Sequence, residues 1–277
     1  RSEASKHVDL NEYQHQALEA INIGFTEKKP VLLHGVTSSG KTEVYVKLIQ
    51  KCLDEGKQAL YLLPEIALTS QLINRLRLYF GHQVAVYHSK YSVHERVEVW
   101  NNVLKSAEKA QIVIDARSSL FLPFINLGLV VVDEEHENSF KQFDPAPRYH
   151  ARDAAVVLAS LHKANIVLGS ATPSIESMFN SKTGKYGYAG ISHRYGDVLM
   201  PDINLVDIKE ATRKRRMKGH FSEILIKAIT EALEEGEQII LFQNRRGYAP
   251  VVECTTCGHV AQCPNRDVSL TYHQHRN

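Results

Sequence analysis

The chain has 277 residues, 43% hydrophobic and 23% charged, which excludes an intrinsically disordered polymer and leaves room for one large or two ordinary lobes. A formal net charge of +2 excludes a globally basic nucleic-acid binder, so any such contact must come from local patches. No apolar run approaches 18 residues, and the four cysteines, three of them at Cys254, Cys257 and Cys263, suit a metal cluster in a reducing, cytoplasmic setting better than disulfides.

In chain order, residues 31–33, 59–63, 84–87, 112–114, 129–132 and 166–168 are short apolar runs that predict strands. Helix-length amphipathic stretches at 42–55, 92–105 and 150–162 separate several of them. This alternation predicts an α/β lobe with a parallel sheet over residues 1–180, with the continuously apolar Val130, Val131 and Val132 in a central strand. Residues 181–200, rich in Gly, Tyr, Ser and Lys, break the rhythm and read as a linker. Strands at 204–207 and 238–242 around a helix at 222–235, N-capped by Ser222, predict the start of a second lobe over 201–250, followed by a cysteine-rich segment at 251–277. The basic run Arg213, Lys214, Arg215, Arg216 and Lys218 reads as a solvated loop. The first residue is not Met and the last stretch holds no closing element, so a piece of a longer polypeptide is expected.

Directly after the first strand comes Gly35, Val36, Thr37, Ser38, Ser39, Gly40, Lys41, Thr42, which satisfies GxxxxGK[ST] and opens a helix. Small residues let backbone N–H groups wrap a phosphate, and the helix N-terminus adds partial positive charge. Lys41 is the expected partner of β- and γ-phosphates and Thr42 of Mg²⁺, so ATP and Mg²⁺ are the expected ligands. A second strand ends in Asp133, Glu134, Glu135, His136. Asp133 is expected to reach the Mg²⁺ through water and Glu134 to polarise the attacking water, the general-base role of phosphoryl transfer.

Several further stretches, in order, are similar to the PriA family of primosomal replication-restart DNA helicases, which are superfamily 2 motors: GVTSSGKTEVY, LLPEIALTSQ, ARSSLFLPF, DEEHENSFKQ, PRYHARDAAVVLA, LGSATPSIES and QNRRGYAP. The resemblance runs from Gly35 to Pro250. It implies a RecA-like ATP-binding lobe, the start of a second RecA-like lobe and a partial zinc-binding insertion. It also implies 3′ to 5′ ATP-dependent unwinding of branched DNA in replication restart, in the bacterial cytoplasm near the nucleoid. Single-stranded DNA, single-stranded DNA-binding protein and other primosome proteins are the implied partners.

By the same resemblance Gln14 contacts adenine, while Glu65, Thr69, Arg117 and Ser118 face the DNA strand. Phe140, Phe143, Arg148 and Tyr149 form an aromatic loop able to stack bases, and Ser170 and Thr172 couple the acid box to the DNA face. An arginine finger is expected from second-lobe residues outside the chain, so the chain alone is expected to bind nucleotide but turn it over poorly. Three positions depart from the family pattern. Ser38 replaces a Gly where φ > 0 is expected, Asp115 would put negative charge beside DNA phosphates, and Arg266 replaces the partner of Cys263. Zinc through Cys254, Cys257 and Cys263 therefore lacks the family's fourth cysteine, for which His259, His273 or His275 could substitute. Ser38, Asp115 and the expected truncation leave open a non-catalytic DNA-binding or primosome-docking module with a vestigial nucleotide site.

Overall fold

The structure, a computed structural model, describes residues 9–64, 70–87, 91–194, 196, 201–242, 256, 257, 259 and 260. The chain separates into two compact units, Arg1–Met200 and Pro201–Asn277.

The first unit is built on seven parallel strands: β1 (Val31–Gly35), β2 (Gln58–Leu62), β3 (Val84–Val86), β4 (Ile112–Asp115), β5 (Leu127–Asp133), β6 (Asn165–Ser170) and β7 (Gly187–Ile191). Their spatial order is β3-β4-β2-β5-β6-β1-β7. Helix α1 (Glu12–Thr26) precedes them, and α2 (Lys41–Asp54), α3 (Ser70–Phe80), α4 (Val93–Leu104), α5 (Ala151–His162) and α6 (Ile175–Lys182) lie between them. Two starts are fixed by reciprocal capping boxes, Asn11 with Gln14 and Ser92 with Glu95, each satisfying two backbone donors that the first helical turn leaves unpaired.

The sheet separates two apolar layers because successive strand residues point to opposite faces. Val31, Leu33, Tyr61 and Val131 pack with Val44, Tyr45 and Ile49 of α2 on one face. Leu32, Leu60, Leu62, Val130 and Val132 pack with Val103 of α4 and Ala151 and Ala155 of α5 on the other. Val130, Val131 and Val132 are fully buried at the centre of the sheet, each contributing about 1.5–3 kcal/mol on removal from water.

The stretch expected as a linker is partly structural. Residues 187–191 form β7, the edge strand beside β1, registered Val31 to Gly187 through Gly35 to Ile191. Its composition hides it, since only Ala189 and Ile191 are buried, while Tyr188 is half exposed.

The second unit contains α7 (Ile208–Arg213), a short antiparallel pair of β8 (Met217–Lys218) and β9 (Phe221–Ser222), and α8 (Glu223–Glu234). Ser222 caps α8 as expected, its hydroxyl accepting from the Leu225 N–H. The strands expected at 204–207 and 238–242 do not form, and Leu205, Ile240 and Phe242 are largely exposed. A strand needs a neighbour to take its backbone bonds and a layer to cover its face, and among the described residues neither stretch has them. Among the described residues no helix is long and apolar enough to cross a membrane.

Candidate nucleotide site

The strands of the first unit run parallel, so their carboxyl ends share one edge of the sheet. The loop after β1 and the end of β5 meet there across β6, which lies between the two strands. A cavity of about 900 Å³ opens at this point, lined by Gln14, residues 37–43, Arg75, Tyr79, Asp133, Glu134, His136 and Thr172 among others.

The loop is held in a conformation that the sequence makes costly at one place. Ser38 sits at φ 62° and Gly40 at φ 79°, both in the left-handed region. Gly40 is at ease there, and a Cβ on it would lie 2.1 Å from the Gln14 amide nitrogen. Ser38 is not, so the strain expected from its replacing a glycine is present, of order 1–2 kcal/mol. No side chain caps the N-terminus of α2, and the buried Ser39 hydroxyl has no hydrogen-bond partner. Lys41 Nζ folds back to donate to the Gly35 carbonyl at 3.1 Å and lies 3.8 Å from Glu134 Oε1. Thr42, in the first turn of α2, lines the same cavity.

Gln14 is almost wholly buried and joins α1 to the loop. Its Oε1 accepts from the Asn11 N–H at 2.8 Å, and its Nε2 donates to the Gly40 carbonyl at 3.1 Å. The second amide hydrogen is not used by these bonds.

Asp133 closes β5. Its Oδ1 accepts from the Tyr45 hydroxyl and the Glu134 N–H, its Oδ2 from the Tyr61 hydroxyl, all at 3.1 Å. Burial raises its pKa above the usual carboxylate range, and the neighbouring Glu134 charge adds to this, while Lys41 and the two tyrosine hydroxyls pull it back. Burial and then Asp133 push both tyrosines well above their ordinary pKa, so they stay protonated donors. Glu134 stands at φ 49°, a left-handed conformation uncommon for a glutamate and characteristic of strained functional positions. His136 bridges to the end of β6, its Nδ1 2.7 Å from Ser170 Oγ and its Nε2 3.3 Å from Thr172 Oγ1.

Lys41, Thr42, Asp133, Glu134, Ser170 and Thr172 are therefore brought to one place. The candidates on the other side of the sheet edge fare differently. Arg117 precedes a single 3₁₀ turn, Ser118–Phe121, and donates to the Lys141 carbonyl at 3.3 Å. Ser118 donates to Asp115 at 2.9 Å. Asp115 itself is 3% exposed and turned inward to cap that turn, which corrects the expectation of a charge at the DNA surface.

The aromatic loop divides as well. Phe140 is fully buried in the core beside Leu120 and Ala151, so it is a packing residue and not a base-stacking one. Beyond it, a Lys141–His150 bridge closes a small hairpin, with the Gln142 N–H donating to the Tyr149 carbonyl at 2.9 Å. This hairpin presents Phe143, 68% exposed, and Arg148, while Tyr149 packs edge-on against Phe121. Glu65, Thr69, Cys254 and Cys263 lie outside the described residues. Cys257 is exposed, and among the described residues no group of three or more His, Cys, Asp or Glu is placed to hold a metal.

Residues that the sequence did not single out complete the site. Tyr45 and Tyr61 seat Asp133. Arg75 of α3, paired with Glu43, forms a wall with Tyr79. Glu135 is fully buried and accepts from Arg152, the Ser174 N–H and hydroxyl, and the Ser177 hydroxyl, tying the acid box to α5 and α6. Only the Ser174 and Ser177 spacing at the start of a helix offered a local signal; the rest are contacts between distant segments.

The residues fit a nucleotide with its magnesium ion. The cavity holds an uncapped helix N-terminus, an unpartnered buried hydroxyl, a lysine and two carboxylates of opposite tasks.

Residues 11–180 match the DEAD/DEAH box helicase family. The chain is 44% identical over 270 residues to the replication restart protein PriA of Bacillus subtilis, which covers 97% of this chain and 33% of that protein. It is 46% identical over 255 residues to PriA of Rickettsia felis, covering 92% and 38%. The chain thus spans about a third of the length of the curated relatives it matches. Among solved structures, the DUF1998 helicase MrfA aligns with a TM-score of 0.52 at 19% identity, over 86% of this chain and 36% of that one. That is a likeness of fold, the α/β RecA-like lobe with its parallel sheet. The match spans the P-loop, the acid box, helices α1 to α5 and most of α6, and the chain belongs to the DEAD/DEAH box helicase family, whose members use ATP and Mg²⁺.

Proposed function

We propose that this chain is the ATP-binding part of a DNA helicase of the PriA kind, a translocase that unwinds branched DNA 3′ to 5′ in replication restart. The observation that carries the reading is the convergence of Lys41, Thr42, Asp133, Glu134 and His136 on one cavity at the carboxyl edge of the sheet.

In this reading the loop N–H groups and the start of α2 receive the phosphates, and Lys41 leaves the Gly35 carbonyl to neutralise them. Thr42, and Asp133 through water, would hold Mg²⁺, which would supply positive charge to offset that of the phosphates. Glu134, within reach of both Lys41 and His136, orients and deprotonates the attacking water. The unused amide hydrogen of Gln14 contacts the base. His136 relays the state of this site to Ser170 and Thr172, and through them to a DNA face that includes Glu65, Thr69, Arg117, Ser118, Phe143, Arg148 and Tyr149. Primosome proteins and single-stranded DNA-binding protein are the partners this reading expects, in the cytoplasm. Zinc through Cys254, Cys257 and Cys263 belongs to it only with a fourth ligand from elsewhere, because three thiolates leave a tetrahedral site one short.

A charge-neutralising arginine from a complete second lobe is worth about 10³-fold or more in rate. The 277-residue chain is therefore expected to bind nucleotide and hydrolyse it slowly. The test is the ATPase rate of the longer protein with and without single-stranded DNA. Stimulation that Lys41→Ala removes is expected, and a rate indifferent to DNA would contradict the reading.

A further inference from the structure

Two tyrosine hydroxyls are buried beneath the acid box, where phenylalanine would fill the same volume without a polar atom to satisfy. Burying a hydroxyl is favourable only when it finds a partner, and here both find the same one. Tyr45, from α2, donates to Asp133 Oδ1, and Tyr61, from β2, donates to Oδ2. The two rings meet edge to face, centroids 5.8 Å apart at 80°, so each fixes the other's position.

The third side of this arrangement is an omission. Gly169 on β6 is registered against Asp133 in the sheet, and a Cβ there would lie 1.6 Å from the Tyr45 hydroxyl. That position admits the phenol only because it has no side chain. The glycine of the Gly169, Ser170, Ala171, Thr172 stretch thus has a steric task apart from turn formation. With the Glu134 N–H, three donors occupy three of the roughly four acceptor positions of the carboxylate, leaving about one.

We infer that Tyr45 and Tyr61 are positioning residues that clamp Asp133 for magnesium, with Gly169 supplying the space for the clamp. The inference rests on the reading of Asp133 as the metal-holding carboxylate. Hydrogen-bonded partners behind a metal ligand fix its orientation, and their loss typically costs about 10–100-fold in metal affinity.

The experiment titrates Mg²⁺ into the full 277-residue chain with a fluorescent ATP analogue at fixed concentration, reading nucleotide binding and not turnover. Tyr45→Phe and Tyr61→Phe are each expected to raise the Mg²⁺ concentration for half-maximal binding by about 10-fold or more. Nucleotide affinity in chelator should stay at the wild-type value, while the ligand-free melting temperature falls modestly, by the loss of one hydrogen bond to the Asp133 carboxylate. Each variant is therefore titrated well below its own melting temperature, and Phe keeps the packing so that each single variant carries the test alone. In an Asp133→Asn background neither tyrosine change should shift the Mg²⁺ dependence further. Wild-type Mg²⁺ dependence in both Phe variants, with Asp133→Asn impaired, would overturn the clamp while sparing the metal-holding reading. Equal weakening with and without Mg²⁺ would overturn it too, by showing a packing effect. Wild-type behaviour of Asp133→Asn would overturn the metal-holding reading itself and the clamp with it.

Discussion

Phe140 and Phe143 are three residues apart and have opposite fates. Phe140 is fully buried among Leu120, Phe124 and Ala151, whereas Phe143 stands 68% exposed on one arm of the hairpin. Phe140→Ala is expected to cost about 3–5 kcal/mol of stability in urea unfolding, the range for deleting a buried aromatic side chain. Phe143→Ala should leave stability unchanged and weaken single-stranded DNA binding by about 1–3 kcal/mol, the worth of one stacked base, measured by fluorescence anisotropy. A Phe143 variant that unfolds, or binds DNA like wild type, would remove it from the DNA face. Sequence marked both residues as one aromatic loop because composition does not report which ring turns inward. The phosphate loop was legible because GxxxxGK[ST] encodes its chemistry locally, down to the left-handed backbone that Ser38 adopts at φ 62°. Tyr45 and Tyr61 were not, since a tyrosine in an amphipathic helix or an apolar strand reads as packing. Their bonds to Asp133 cross 88 and 72 residues of sequence.

At the scale of elements, the end of β5 is held to α5 and to the start of α6 by one buried carboxylate. Glu135 takes an ion pair from Arg152 at 3.1 Å and hydrogen bonds from Ser174 and Ser177 at 2.7 to 3.1 Å. Removing one partner of a buried pair leaves an uncompensated charge, at a cost of about 3–5 kcal/mol. Arg152→Ala should approach the lower end, because three serine donors remain on Glu135. Combined with Glu135→Gln the loss should be smaller than the sum of the two, and strict additivity in urea unfolding would mean the pair does not couple these elements. Strands β1 to β6 were readable as apolar runs, since a strand covered on both faces has little choice of composition. β7 escaped because an edge strand with alternate residues exposed tolerates Gly, Tyr and Ser. Residues 204–207 and 238–242 failed for the opposite reason: their composition suits a strand, but β structure is made by neighbours, and among the described residues they have none.

Across the whole molecule, the first unit carries a self-consistent nucleotide cavity, with the P-loop, acid box and the Ser170 to Thr172 link placed by a single sheet. The chain spans about a third of the length of its PriA relatives, and nucleotide binding is the part of the proposed function for which this chain itself can be tested. The central claim is that the cavity above β1 is an ATP site organised by Lys41. Its most direct test is equilibrium binding of a fluorescent ATP analogue with Mg²⁺ to the 277-residue chain and to its Lys41→Ala variant. The account predicts saturable binding by the wild-type chain, weakened by at least about tenfold, or 1.4 kcal/mol, in the variant at unchanged melting temperature. Equal affinity in the two proteins, or no binding by the folded wild-type chain, would contradict it.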